Sequence, residues 1–277
     1  MHTVAWMLGA VMSFCLMAVG VRELSGELPV FQTLFIRSLL GLMITGLLIQ
    51  VLRKKSEIRL DRVGLHIFRN CLHFIGQYGW FIGIAFLPLA EVFALEFTTP
   101  IWTMVIASLF IGEKITREKI AAIVLGVLGV LVIVRPGVEI IHPASFIVLA
   151  AAACYGASHT AAKSLSITES PLAILFFMSL VQLPIGLIPS LFDWVFPLGI
   201  QWLWLSVVGF GALSAHYCLV RAMLCAEVGN VIMLDFLRLP MIAVMGAIFY
   251  QEGFEIWILL GATMMLIGNW ASVRDAR

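Results

Sequence analysis

Several ionisable and hydrogen-bonding side chains stand inside long apolar runs, at helical spacing. His66, Arg69, His73, Gln77 and Trp80 recur at steps of 3, 4, 4 and 3, which keeps them on one face of a helix. Glu96, Thr99 and Thr103 share a second face, and Pro100 frees a backbone carbonyl that is available to a ligand. Asp235 and Arg238 stand three residues apart with Pro240 close by, and Arg37 interrupts a further apolar run. A charge at mid-bilayer costs roughly 2.5–3.5 kcal/mol, so such residues turn towards a partner or a wet cavity. The chemistry on offer is recognition of a polar, charged molecule and carriage of a proton. No HExxH, GxSxG, paired HxxxD or Walker A pattern occurs, so neither a catalytic centre nor an ATP site is legible.

The acids divide by their neighbours. Asp235 has Arg238 one turn away, a spacing at which the pair can neutralise itself. Glu96 has no such neighbour; Arg37 or Arg69 would have to lock it. A carboxyl free to pass between charged and neutral forms suits a proton carrier, and Glu96 is assigned that role. The ligand is assigned to Arg37, Arg69, His73, Gln77, Tyr78, Trp80, Thr99, Trp102, Tyr155, His159, Asp235 and Arg238, whose mixed charge suits a zwitterion or an anion bearing a planar ring. The competing expectations are structural. His66 and Arg69 can reach lipid headgroups, Lys163 (in step with Tyr155 and His159) can snorkel, and His216 can be a helix–helix contact. Gly126, Gly129 and Gly261 read as close-packing sites. The five cysteines lie in apolar runs without metal-ligand spacing, so no metal and no cofactor is expected.

The elements that must position these residues follow from composition. Of 277 residues, 62% are apolar and 12% charged, and the mean hydropathy is +1.06. A soluble enzyme, a disordered chain and a disulfide scaffold are excluded, and a net charge of +1 gives no field for nucleic acid. The chain reads as an all-α polytopic membrane protein with ten spans: 4–21, 29–52, 63–87, 88–111, 120–134, 144–163, 171–190, 201–223, 228–250 and 256–273. Met1-His2-Thr3 lacks the basic region of a cleaved signal, so the first run is expected to remain as a span. With both termini inside, the cytoplasmic loops hold twelve Lys and Arg residues against Arg22 and Arg135 outside, which sets both ends in the cytoplasm.

The chain also echoes itself. Leu95-Glu96-Phe97 recurs as Leu234-Asp235-Phe236, 139 residues on, and the same offset maps Phe110 and Glu113 onto Phe249 and Glu252. Ala90-Glu91-Val92 is matched by Ala226-Glu227-Val228, and Pro100, one residue out, by Pro240. Two halves, 1–140 and 141–277, each with an odd number of spans, make an inverted repeat of the kind used by secondary transporters.

These features resemble the ten-span EamA-type branch of the drug/metabolite transporter superfamily. The resemblance rests on Phe35-Ile36-Arg37-Ser38, Phe68-Arg69, Pro88-Leu89-Ala90-Glu91 and Phe97-Thr98-Thr99-Pro100. It extends through Leu109-Phe110-Ile111-Gly112-Glu113, the Gly126-to-Gly137 stretch and Phe249-Tyr250-Gln251-Glu252. Gln251 departs from Gly112, a difference confined to a loop. The resemblance implies export or exchange of metabolites such as amino acids, nucleotide-related compounds, riboflavin-like vitamins or S-adenosylmethionine. The expectation is therefore a secondary active transporter of a small polar or zwitterionic metabolite, driven by a proton or substrate gradient. It would sit in a bacterial inner membrane as a monomer or homodimer. The second reading is an intramembrane enzyme acting on lipid or a lipid-linked substrate.

Overall fold

Prolines and short polar caps decide where the helices begin. Pro29 and Pro88 precede α2 (Val30–Val51) and α4 (Leu89–Glu96), while Pro143 and Pro171 open α7 (Pro143–Ser166) and α8 (Pro171–Ser190). A first-turn proline costs nothing, since its missing N–H has no partner there. His142 accepts from the Ala144 N–H at 3.2 Å, and Ser170 from the Ala173 N–H at 3.3 Å. A computed structural model describes residues 2–111, 116–135, 141–225, 234–235, 237–253 and 255–275. Among the described residues the longer helices besides these are α1 (His2–Leu24), α3 (Val63–Phe86), α5 (Thr99–Ile111), α6 (Arg117–Val134), α9 (Gln201–Cys225), α10 (Arg238–Tyr250) and α11 (Ile256–Asp275). Glu113, Lys114, Gly137, Glu227 and the 228–233 part of the ninth expected span lie outside the described residues.

The segment 88–111, expected as one span, is two helices. The Pro100 ring excludes the helical position of the Glu96 carbonyl, so α4 stops at Glu96 and α5 starts at Thr99. That carbonyl does not wait for a ligand: the Thr99 hydroxyl donates to it at 2.6 Å. The Thr98 N–H bonds the Leu95 carbonyl at 3.1 Å, tightening the break. At the matching place, after a turn at Leu237, α10 opens at Arg238 with Pro240 as its third residue. α5 and α10 each hold 13 residues and begin 139 residues apart; α6 and α11 begin at the same offset.

The helices pack across the chain rather than along it. α1 lies chiefly on α9, α2 on α8, α3 on α7, α6 on α11, and the short α4 on α10 and α7. α4 sits in the middle, with Leu89, Ala90, Val92, Phe93, Ala94 and Leu95 all buried. α6 and α11 meet through Gly129 and Gly261, where a Cβ on Gly129 would stand 2.7 Å from the Gly261 carbonyl oxygen. Only glycine permits that approach. Outward faces are apolar: α1 exposes Val4, Leu8, Met12 and Leu16 at steps of four. Among the described residues six helical segments are long and apolar enough to cross a membrane, and Ile123–Val134, Arg238–Tyr250 and Ile256–Gly268 are shorter apolar helices. This is an integral membrane protein.

Candidate functional site

The polar face of α3 is buried along its length: His66, Arg69, Asn70, His73, Gln77 and Trp80 are all closed off from solvent. Arg69 and His66 therefore do not reach headgroups. His66 Nε2 lies 2.6 Å from a Glu169 oxygen with both side chains buried, and its ring stacks on Phe177. One turn before it, Arg62 donates to the Ser164 carbonyl at 2.7 Å and to its hydroxyl at 2.6 Å. These contacts tie the start of α3 to the α7–α8 corner.

Further along α3 the stripe divides into two clusters. In the first, Arg37 of α2 directs Nη1 at Gln77 Oε1 (3.1 Å) and Gln182 Oε1 (3.4 Å). A guanidinium only donates, so Gln182 must turn its oxygen to Arg37. Its amide nitrogen then faces His73 Nδ1 at 2.9 Å. Arg69 donates to Asn70 Oδ1 at 2.7 Å, and Asn70 donates to the Phe177 carbonyl at 3.3 Å. Tyr155 of α7 and His216 of α9 stand edge-on to His73, with ring centroids 5.4 and 5.7 Å away. His159, next along α7, stacks on Tyr155 and is exposed.

In the second cluster Arg238 bridges two acids, Asp235 on its own segment and Glu96 at 3.4 Å. Glu96 has no partner one turn away, as expected, but the arginine that pairs with it is Arg238 and neither Arg37 nor Arg69. α4 packs on α10, so the partner comes from the far half of the chain. The other Glu96 oxygen accepts from Trp80 Nε1 at 2.8 Å. The Arg238 guanidinium lies over Phe14, Phe97 and Phe93, 4.7, 5.3 and 5.7 Å from their centroids. Glu96 ends its half-helix and Arg238 begins one, positions where each opposes the local helix dipole. Their mutual attraction offsets this.

Some expected residues stand apart from these clusters. Tyr78 stacks on Phe31 of α2 at 4.6 Å, and Trp102 is 37% exposed while its backbone abuts Gly156 of α7. Thr99 and Thr103 spend their hydroxyls on the Glu96 and Thr99 carbonyls. Lys163 has no described side chain. Sequence reasoning passed over Asn70, Gln182 and the phenylalanine box around Arg238. Gln182 carried a signal, as the one amide in the apolar run 171–190.

The opposite end of the bundle holds another polar knot. Arg22, at the end of α1, pairs with Glu252 at 3.1 Å and donates to the Leu87 carbonyl at 2.5 Å. Glu252 also accepts the Leu89 N–H at 2.8 Å, capping α4 with a carboxylate.

The model of the EamA-like transporter family matches residues 1–135 and again 142–274. The chain is 25% identical to a riboflavin transporter of Vibrio cholerae, over 85% of this chain and 80% of that one. It is 24% identical to an S-adenosylmethionine uptake transporter of Rickettsia felis, over 76% and 72%. It is 26% identical to the pseudopaline exporter CntI of Pseudomonas aeruginosa, over 96% and 93%. A solved crystal structure shares the fold at TM-score 0.71 with 14% identity, covering 99% of this chain and 97% of that one. The chain belongs to the EamA-like transporter family, within the drug/metabolite transporter superfamily, and its similarity to named transporters lends the lipid-enzyme reading no support.

Proposed function

We propose that this EamA-family protein is a secondary active transporter that moves a small polar or zwitterionic metabolite by alternating access between two inverted five-helix repeats, 1–140 and 141–277. The observation that carries the reading is the Glu96–Arg238–Asp235 triad, built where the break between α4 and α5 faces the start of α10. Broken helices at a repeat interface are where such transporters hold substrate and coupling ion. The helix pairings support the repeat, because exchanging the halves turns α1–α9 into α7–α3 and returns α2–α8 and α6–α11 to themselves. Ten spans put both termini in the cytoplasm of a bacterial inner membrane, as monomer or homodimer. The Arg22–Glu252 knot then closes the outer end, and His66–Glu169 with Arg62 closes the inner.

The triad also suits proton coupling. Two carboxylates share one guanidinium, so one can take a proton and leave a neutral pair behind. Glu96 is the looser partner, at 3.4 Å from Arg238 and steadied by Trp80 in either state. Arg37, Arg69, His73, Gln77, Tyr155 and His159 face the metabolite, with Trp102 and Tyr78 at its approach.

The test is counterflow and pH-driven uptake in proteoliposomes, with a panel of flavins, sulfonium and amino-acid-derived zwitterions and carboxylates. Saturable flux above protein-free vesicles is expected for at least one class. Absence of flux across the panel from folded protein overturns the reading.

A further inference from the structure

The two clusters balance charge differently. Arg238 is answered by two carboxylates, whereas no carboxylate lies within ion-pair distance of Arg37 or Arg69 among the described residues. Their partners are the neutral amides of Gln77, Gln182 and Asn70. Both arginines are buried, at 4% and 5% exposure, and the nearby rings of His73, His216 and Tyr155 bring no negative charge. Desolvating an ion costs several kcal/mol, which a neutral amide recovers only in part.

The donors that remain form a pattern. Nε and Nη2 of Arg37 and Nε of Arg69 are buried without a hydrogen-bond partner. Nε and Nη2 are the two parallel donors along one edge of a guanidinium, the edge that matches an oxyanion bidentately. Gln77 and Gln182 hold Arg37 by Nη1, at the other side, and so fix the fork while leaving that edge open.

We propose that Arg37 and Arg69 form an oxyanion subsite that takes the carboxylate or phosphate of the transported molecule, with the Arg37 fork as its primary clamp. The inference rests on the transporter reading and gives the substrate a direction. Its anionic end faces Arg37 and Arg69, and its cationic or donor end faces Glu96 and Asp235, whose Oδ1 is buried without a partner. Gln77 and Trp80, which anchor the two clusters, are three residues apart on α3, about 4.5 Å of helical rise. A molecule of metabolite size spans both. Half-buried Tyr155 and exposed His159 mark the way in.

The experiment measures the melting midpoint of the purified full-length protein against acetate and inorganic phosphate, with chloride at equal ionic strength as baseline. A saturable rise with acetate or phosphate is expected, and the stronger of the two identifies the oxyanion. Arg37→Gln and Arg69→Gln should weaken it roughly ten- to hundredfold, the worth of a charge-assisted bond. Arg37→Lys, which keeps charge but loses the fork, should weaken it too. Ligand-free Arg69→Gln should melt no lower than the parent, because it removes an uncompensated charge. No anion-specific rise, or a rise that survives both Gln substitutions, overturns the subsite. A shift produced by phosphatidylglycerol but not phosphatidylcholine nanodiscs, with neither free anion active, assigns the fork to a lipid headgroup and also overturns it. In the proteoliposome panel, equal flux of anion-bearing and anion-free solutes refutes the subsite and leaves the transporter standing. Saturable anion binding with no flux of any solute does the reverse.

Discussion

Arg238→Gln should be the most damaging single substitution in the triad, and Glu96→Gln the mildest. Removing Arg238 strands two carboxylates in one place, and breaking a buried ion pair from one side costs about 3–5 kcal/mol. Glu96 and Asp235 keep 17% and 20% of their side-chain surface, so water carries part of the load and the cost falls near the lower end, about 3 kcal/mol. Glu96→Gln loses one long contact of 3.4 Å, keeps an acceptor for Trp80 Nε1 and leaves Arg238 paired with Asp235, for about 1 kcal/mol. Asp235→Asn should fall between, since Glu96 remains to hold Arg238. At roughly 2–4 °C per kcal/mol for a chain near this size, Arg238→Gln should melt about 6–12 °C low. The double variant Arg238→Gln/Asp235→Asn should recover part of that loss, because it removes an orphaned charge. Thermal melting of detergent-purified fluorescent fusions, followed by size exclusion, reads the series. If Arg238→Gln is no worse than Glu96→Gln, or if the double variant is simply additive, the three residues do not form one electrostatic unit.

Further outcomes follow from the same geometry. Glu96→Gln should abolish pH-driven net uptake in proteoliposomes while counterflow persists; undiminished pH-driven uptake would remove the coupling role. Gly129→Ala and Gly261→Ala should each cost about 1–3 kcal/mol through a Cβ driven onto the facing carbonyl, read as a lower melting midpoint. A parental midpoint in both would mean that α6 and α11 do not pack this closely. Reporter fusions after Arg62 and Lys119 should report the cytoplasm and one after Asp193 the outside, and reversal of any of the three would break the ten-span topology.

Periodicity made the α3 stripe legible, because a 3-4-4-3 spacing can only be one helical face. It could not name partners. Arg37 meets Gln182 across 145 positions and Glu96 meets Arg238 across 142, and those meetings depend on α2 lying on α8 and α4 on α10. The alternative that locked Glu96 to Arg37 or Arg69 on sign alone therefore named the wrong arginine. Asn70 and Gln182 escaped notice for a different reason: a single amide disappears into an apolar run, although it can orient a buried guanidinium. The break at Phe97 was written in Pro100 yet hidden by unbroken hydropathy on both sides, since hydropathy measures solvent preference and not the backbone bond that proline removes.

That last point bears on why the charges are divided as they are. The amides beside Arg37 and Arg69 orient charge without cancelling it, whereas the packing of α4 on α10 brings Glu96 to the arginine that already holds Asp235 and leaves a formal excess of one negative charge. A site that neutralised itself at both ends would make an entering zwitterion desolvate its charges against neutral walls, at several kcal/mol each. On the proposed subsite, opposite imbalances a helical turn apart on α3 would let the ligand's own charges complete the site. The protein would then bear the desolvation cost in its unliganded state, and a molecule lacking either charge would leave one cluster unanswered. Selectivity on this arrangement comes from the penalty against incomplete ligands as much as from attraction to the right one.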